Sequence, residues 1–317
     1  MRENRLFQSY PYHMKFEMLA NEHPEYEIWL HNHYMQLVFD SEEGALDFVT
    51  IKPERCLLIE RMEQMAELLE KDGINLCDYI RYYLAKGYRL SRMSEIRGKK
   101  TEIGSVDDIW LWSWLEAEHQ FGGLRYLGQA EWEPCYVRED ELLHLISGWE
   151  CRFVFEKVRA ALTCTLDEDK VRKNIECYIT SRPLPGPDQY YRNQKEGTSY
   201  GIEAVFEFVA YYQENMLGDD EKKREKVRAS LWVLIEHKEL MRKRLEALQK
   251  QEVYVSSDDI IQAYRIMHDE LYEIVNVLFG HQGKQWNGKE RRLLHKIREL
   301  TIKEQEHLVK LHGIVRR

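Results

Sequence analysis

The residues best suited to chemistry form one charged stretch in the second half of the chain, Glu236-His237-Lys238, followed by Met241 and Arg244. At helical spacing, His237, Met241 and Arg244 share one face, and Lys238 shares another with Met241. Two interpretations stay open. Either the side chains form a buried ionic cluster that anchors an anionic ligand or docks the helices onto the first domain, or they lie on a solvated face with ion pairs one turn apart.

Motifs of the common enzyme classes are rare in this sequence. There is no GxxxxGK[ST], GxGxxG or HExxH motif, which disfavours kinases, dinucleotide enzymes and zinc proteases. One GxSxG match, at residues 197–201, follows a polar segment and not an apolar strand, so we interpret it as a chance match in a loop. His31 and His33 diverge by about 200° on the helix that their neighbours predict, which disfavours a shared metal.

The cysteines are too scattered for a disulfide framework or a zinc site. No two of them form a CxxC pair, and we interpret all six as buried free thiols in a reducing cytoplasm. The sequence therefore predicts neither a metal nor a cofactor. The six are Cys56, Cys77, Cys135, Cys151, Cys164 and Cys177.

Charge and composition exclude several classes of protein. The 317 residues are 44% hydrophobic and carry a net charge of -9, which disfavours wholesale disorder and a dedicated nucleic-acid binder. The longest apolar runs fall far below the roughly 18 residues that span a bilayer, and no signal peptide opens the chain. A cytoplasmic protein without a membrane partner is expected.

The first half of the chain combines helices with strands. Residues 76–84 form an amphipathic helix with Asn75 as its cap and Gly87 as its stop, and residues 62–71 repeat the helical spacing. Residues 109–115 and 124–130 are predicted to form a hairpin around a Gly122-Gly123 turn, with further strands at 135–137 and 151–155.

The second half is predicted to be helical. Periodic stretches cover residues 167–178, 202–212, 221–250, 257–279 and 288–312. Residues 219–317 carry a charge of +4 and the preceding 218 carry -13, which indicates a boundary between the halves. We therefore predict an α+β domain with an antiparallel sheet over residues 1–160, followed by a C-terminal helical bundle over residues 161–317.

Short stretches along nearly the whole chain carry a resemblance to a known family. They are residues 78–80 with Gly87-Tyr88, 109–114, 124–130, 136–142, 178–182, 200–202 and 236–238. Their order resembles the papain-like proteins related to the butirosin acyltransferase and to bacteriocin-leader cysteine peptidases, many of which are associated with nonribosomal peptide or polyketide gene clusters.

The resemblance implies a papain-like α+β domain and a cysteine mechanism. Active members of the family use a Cys at the start of an early helix as nucleophile, a His before a sheet strand as base, and an Asp or Asn to orient the His. Their chemistry is acyl transfer from a carrier-protein thioester to an amine, or peptide hydrolysis. A thiolate forms near neutral pH only beside such a base.

This sequence departs from the family pattern at both catalytic positions. His13 stands near the position of the nucleophile, and Asp107 or Asp108 takes the place of the histidine. The cysteine mechanism is therefore expected to be lost. A carboxylate facing His13 would form either an acid–base pair or a remnant salt link.

These observations predict an accessory protein of nonribosomal peptide or polyketide biosynthesis. It would handle a carrier-protein-bound acyl or peptidyl intermediate, by binding it or by altered acyl transfer with His13 and Asp107 or Asp108. Two alternatives stay open: a non-catalytic protein whose helices dock a synthetase, and an active thiol acyltransferase or peptidase that uses Cys56 or Cys77.

Overall fold

The structure is a computed structural model in which the chain forms two units, each discontinuous in sequence. The helical unit comprises Met1–Tyr10, Pro24–Lys52 and Thr163–Arg317, and the sheet unit comprises Pro11–His23 and Pro53–Leu162. The structure describes residues 9, 17, 20, 22–33, 36–51, 58–95, 109–128, 131–146, 151–159, 163–184, 189–190, 197–215, 220–251, 258–279 and 289–315.

Six antiparallel strands form the sheet of the sheet unit, in the spatial order β4-β9-β5-β6-β7-β8. One face of this sheet packs against the unit's helices around a core that includes Ile80, Phe121 and Phe155. The strands are β4 (Ile59–Met65), β5 (Arg89–Glu95), β6 (Ile109–Leu115), β7 (Gln120–Gly128), β8 (Glu131–Arg138) and β9 (Cys151–Val158), and the helices are α2 (Ala66–Lys71), α3 (Leu76–Ala85) and α4 (Glu139–Ile146).

Helix α3 begins and ends where its sequence predicts. The Asn75 side chain accepts a hydrogen bond from the backbone N–H of Asp78, which satisfies one donor of the first helical turn. After the helix, Gly87 has a φ of 80°, a conformation that glycine adopts without strain.

Two local predictions for this unit are wrong. The turn between β6 and β7 lies at residues 116–119, and Gly122 and Gly123 lie inside β7. Gly123 is needed there because a Cβ atom would come 2.2 Å from the carbonyl oxygen of Trp110 on the neighbouring strand. Residues 62–71 are not one helix, because Met62 lies in β4 and packs into the sheet core before α2 begins.

In its described residues, the helical unit contains two small antiparallel sheets and six helices. One sheet has the order β11-β1-β2, and the other pairs β3 with β10. Its strands are β1 (Leu37–Asp40), β2 (Ala45–Phe48), β3 (Thr50–Ile51), β10 (Gln189–Tyr190) and β11 (Thr198–Tyr200). Its helices are α1 (Tyr26–His33), α5 (Glu168–Ile179), α6 (Gly201–Glu214), α7 (Glu221–Lys250), α8 (Asp258–Phe279) and α9 (Lys289–Val315).

Capping and apolar periodicity explain the helices of this unit. Asp167 accepts a hydrogen bond from the N–H of Lys170 at the start of α5, and Asp220 accepts one from the N–H of Lys223 at the start of α7. Helix α6 packs on β1 and β2, α7 packs on β2, α8 and α1, and α9 packs on α5, α6 and α8. These contacts bury the centre of α7.

The predicted fold class is confirmed at the level of a mixed α/β protein with antiparallel sheets and C-terminal helices. The papain-like fold and the domain division at residues 160 and 161 stay predictions. No helix in the described part of the chain is long and apolar enough to cross a membrane.

Candidate functional site

The charged stretch singled out in the sequence lies in the interior of the helical unit. Glu236, His237, Lys238 and Arg244 are each at most 3% exposed. Successive residues on a helix point about 100° apart, so burial of three in a row means that α7 is enclosed on most sides here. The solvated-face interpretation is therefore wrong for these four side chains.

The centre of the cluster is an ion pair between α7 and α9. The Lys238 ammonium donates a hydrogen bond of 2.5 Å to Oε2 of Glu304, and both side chains are withdrawn from water. Burial lowers the pKa of Lys238, while the Glu304 carboxylate opposes that shift. In such a pair the mutual attraction offsets part of the cost of removing both charges from water, and further hydrogen bonds are needed to offset the rest.

Two tyrosines complete the hydrogen bonding of Glu304. The hydroxyl of Tyr264 on α8 donates to Oε1 at 3.0 Å, and that of Tyr178 on α5 donates to Oε2 at 3.2 Å. Burial and the nearby carboxylate raise the pKa of both tyrosines well above the usual value. Both hydroxyls therefore remain neutral donors, and one carboxylate joins four helices.

His237 fills the space beside this pair. Its ring stacks on Tyr178 with the centroids 4.7 Å apart, and its Nδ1 lies 3.3 Å from Nζ of Lys238 and 3.9 Å from Oε1 of Glu304. With the ammonium as donor, Nδ1 is the acceptor, which places the ring proton on Nε2.

Glu236 and Arg244 bind other parts of the same unit. The Glu236 carboxylate accepts hydrogen bonds from the backbone N–H and the hydroxyl of Ser9, at 2.5 and 2.6 Å. Arg244 donates from Nε to the carbonyl of His31 at 2.8 Å, in the last turn of α1, where the helix dipole favours a cation. Burial lowers the pKa of Arg244 to about 9, which keeps it charged at neutral pH.

Three of the short stretches that carry the family resemblance meet at this cluster. Tyr178 opens one and Lys238 closes another, and both contact Glu304. The third contains Gly201, whose α-carbon lies against Tyr178 so closely that a Cβ atom would come 2.2 Å from the tyrosine's carbonyl oxygen. Packing around one buried ion pair thus explains why these positions hold Tyr178, Gly201 and Lys238.

Sequence reasoning missed Glu304 and Tyr264. The signal for Glu304 is its position on the apolar stripe of α9, between the buried residues Leu300, Leu308 and Leu311. A carboxylate on such a stripe needs a buried partner. Lys238 stands out by its residue type, but the sequence contains no indication that residues 238 and 304 meet.

No family model, curated protein or solved structure matches this chain.

The predicted catalytic residues His13, Asp107 and Asp108 lie outside the described residues, as does Cys56. Their roles stay predictions. Within the described residues, no group of three or more His, Cys, Asp and Glu side chains is arranged to hold a metal ion.

The GxSxG match lacks the geometry of a nucleophile elbow. Ser199 lies within β11, paired with Phe39 of β1, and not in a loop as predicted. Its hydroxyl is buried and makes no hydrogen bond among the described residues. The positive φ angles fall on Gly197 and Gly201 and not on the serine, so the strained turn that exposes a nucleophile is missing here.

The described thiols are poor nucleophiles. Cys77 is the second residue of α3, a position where a helix N-terminus ordinarily lowers a thiol pKa. Burial is the largest cause and, together with Glu139, whose carbonyl oxygen lies 3.9 Å from Sγ, it raises the pKa of Cys77 to about 12. Burial also raises the pKa of Cys135, Cys164 and Cys177.

Proposed function

We propose that this protein is an accessory protein of nonribosomal peptide or polyketide biosynthesis that holds a carrier-bound acyl or peptidyl intermediate without a cysteine nucleophile. Its scaffold is proposed to be a papain-like acyltransferase fold whose thiol chemistry has been lost. The partner is then an acyl-loaded or peptidyl-loaded carrier protein, and the protein works in the cytoplasm.

One observation carries the loss of thiol chemistry. Cys77, one of the two thiols that the enzyme alternative would use, is fully buried near the start of a helix that packs on an antiparallel sheet, and its pKa is raised to about 12. At pH 7, about one thiol in 10⁵ would be ionised at that pKa. The charged groups that shift this pKa are Glu139, Arg81 and Asp78, and an imidazole base is not among them.

The buried cluster supports a structural role for the segments that resemble the family. Glu236, Lys238 and Tyr178 form hydrogen bonds within the helical unit and are withdrawn from solvent. A scaffold that keeps these contacts keeps its fold when the catalytic residues change. The docking of a synthetase by the helices is the rival proposal, and it needs no bound acyl group.

Mixing the protein with a stand-alone carrier protein in apo, phosphopantetheinylated and acyl-loaded forms tests the proposal. We expect a complex with the loaded carrier on size-exclusion chromatography and no acyl adduct on the protein by intact-mass spectrometry. Protein treated with iodoacetamide in its native state should bind equally well, because the described thiols are neutral.

Each other outcome has a defined meaning. An acyl group transferred to Cys56 or another cysteine would establish the thiol enzyme instead. Equal binding of apo and loaded carriers would favour a docking protein that does not handle the intermediate. The absence of a complex with a panel of loaded carriers would refute the proposed function.

A further inference from the structure

The last turn of α1 is held in place by hydrogen bonds that fix the charge state of His33. Nδ1 of His33 lies 2.7 Å from the carbonyl oxygen of Trp29, and since a carbonyl oxygen only accepts, Nδ1 carries the ring proton. Nε2 is therefore the acceptor for the Lys170 ammonium of α5, which lies 2.7 Å away. The imidazole can make both contacts only while it is neutral.

Protonation of His33 would remove its contact with α5. A hydrogen on Nε2 would point at the ammonium of Lys170, so repulsion between two cations would replace a hydrogen bond. A flip of the ring would not relieve the repulsion, since both nitrogens of an imidazolium are donors. The ring is also held by stacking on Trp29, with the centroids 4.5 Å apart. His33 therefore accepts a proton only by separating from Lys170.

The surroundings of this turn disfavour an added positive charge. Among the described residues, the charged groups that act on the two histidines of the turn are Lys170 and Asp167 from α5 and Arg244 and Lys243 from α7. Arg244 already donates to two backbone carbonyl oxygens at the end of α1, where the helix dipole favours a cation. The neighbouring helices thus present three cations and one carboxylate to the turn.

Asn32 makes the separation cooperative. Its Oδ1 accepts a hydrogen bond from the N–H of Asp167 at 2.9 Å, and its Nδ2 donates to the carbonyl oxygen of Thr165 at 2.8 Å. Asn174 donates to the carbonyl oxygen of Asn32 at 3.2 Å. Because Asn32 and His33 are consecutive residues, movement of His33 away from α5 requires these three bonds to lengthen or break.

We propose that His33 and Lys170 form a proton-sensitive joint that releases the last turn of α1 from α5 in acid while the rest of the helical unit stays folded. The groups of the joint lie on α1, α5 and α7, and none of them lies on α6, α8 or α9. Release of one short helix exposes less apolar surface than unfolding of the whole unit, so it is the less costly response to the proton. Trp29, which is 4% exposed, loses its burial in the released state.

The test uses Trp29 as the reporter in an acid titration of the full chain labelled with 5-fluorotryptophan. Its fluorine resonance is assigned by comparison with Trp29→Phe. We expect this resonance to move to the position of an exposed indole as the pH falls from about 7 to about 4, the range in which His33 gains its proton. Far-UV circular dichroism should keep the helical signal over the same range.

Two variants separate the joint from an ordinary histidine titration. His33→Gln keeps one donor and one acceptor but cannot titrate, so Trp29 should stay buried to a pH at least about one unit lower. Lys170→Met removes the repelling cation, so His33 should titrate at a higher pH while Trp29 again stays buried to a lower pH. Lys173→Met, at an exposed position of α5, is the matched control and should release Trp29 at the wild-type pH.

Three results would overturn the joint. Release of Trp29 at an unchanged pH in His33→Gln and in Lys170→Met would assign the release to another group, such as His31. Simultaneous loss of Trp29 burial and of the helical signal would show global unfolding without a separate joint. A Trp29 resonance that does not move by about pH 4 would mean that the turn stays docked.

Discussion

Lys238 and Glu304 show what a single buried charge requires of its neighbours. The ammonium donates to the carboxylate, and two tyrosine hydroxyls donate to the same carboxylate. Replacing both charges with apolar groups often costs little, whereas removing one leaves the other buried without compensation. Removing one of the two charges should therefore destabilise the protein more than removing both.

Glu304→Gln should destabilise the protein by about 3–5 kcal/mol, because Lys238 then lacks its counter-ion. The free energy of unfolding from urea titrations measures the loss. Circular dichroism at low urea confirms whether the variant still folds.

The paired control is Glu304→Leu with Lys238→Met, which removes both charges and retains apolar volume. We expect this double variant to be more stable than Glu304→Gln. If the single variant matched the wild type, the ion pair would not be holding α7 against α9 as described.

Gly201→Ala should also destabilise, by about 2 kcal/mol or more. Gly201 has a φ of 61°, and an added Cβ atom would approach the carbonyl oxygen of Tyr178 to 2.2 Å. Gly73→Ala is the matched control, because Gly73 has a φ of 71° with no atom within 4 Å of the added Cβ. Gly73→Ala should lower the free energy of unfolding by about 1 kcal/mol, because only the backbone conformation is strained. Equal losses in urea titrations would mean that the contact with Tyr178 contributes nothing.

At the scale of elements, helices could be predicted and many strands could not. The bounds of α7 coincide with the predicted stretch 221–250, and α8 begins one residue after the start of the predicted stretch 257–279. Apolar periodicity over many turns and a capping side chain are local signals, so the sequence contains them in full. Strands β1 and β2 are only four residues long, and the second partner of β1, strand β11, lies far along the chain, so the sequence gives little local signal for this sheet.

The glycine pair of β7 shows a second reason for failure. Gly122-Gly123 resembles a turn, but the turn is made by residues 116–119, where His119 has a φ of 50°. What requires Gly123 is the backbone of β6, and this close approach exists only after the sheet has formed. Glycine in a sequence therefore does not distinguish a turn from a tight contact between strands.

The candidate site was predictable only in part for the same reason. Glu236, His237 and Lys238 stood out by residue type, but their burial depends on helices that come from other parts of the chain. Glu304 lies 66 residues from Lys238, and no rule based on spacing along one helix joins them.

At the scale of the whole molecule, two histidines make stability depend on pH. Burial, with a smaller contribution from the Arg244 cation, lowers the pKa of His31 to about 3. Burial and, second, the Lys170 cation, which donates to Nε2 at 2.7 Å, lower the pKa of His33 to about 4. Both values lie below the 6.5 of an unfolded histidine. Stability is therefore complete above pH 6.5 and is lost as the pH falls towards 3 to 4.

At pH 5, each of these histidines should lower the free energy of unfolding by about 2 kcal/mol relative to pH 7.5.

Lys170→Met should raise the pKa of His33, since it removes a cation from the imidazole while burial remains. An NMR titration of the histidine ring protons measures the shift. Lys173→Met removes an exposed cation from the same helix and should leave this pKa unchanged. An unchanged value in both variants would exclude the Lys170 contact as a cause.

The pairing of β1 with β11 has a consequence for how the protein is made. Val38 pairs with Tyr200, so about 160 residues leave the ribosome between the two partners. At a synthesis rate of roughly 5–20 residues per second, β1 waits on the order of ten to thirty seconds for β11. The sheet unit, which ends at residue 162, is complete before that strand emerges. During that time the edge of β1 that later pairs with β11 stays unpaired in the nascent chain. We expect chaperones to bind at this edge.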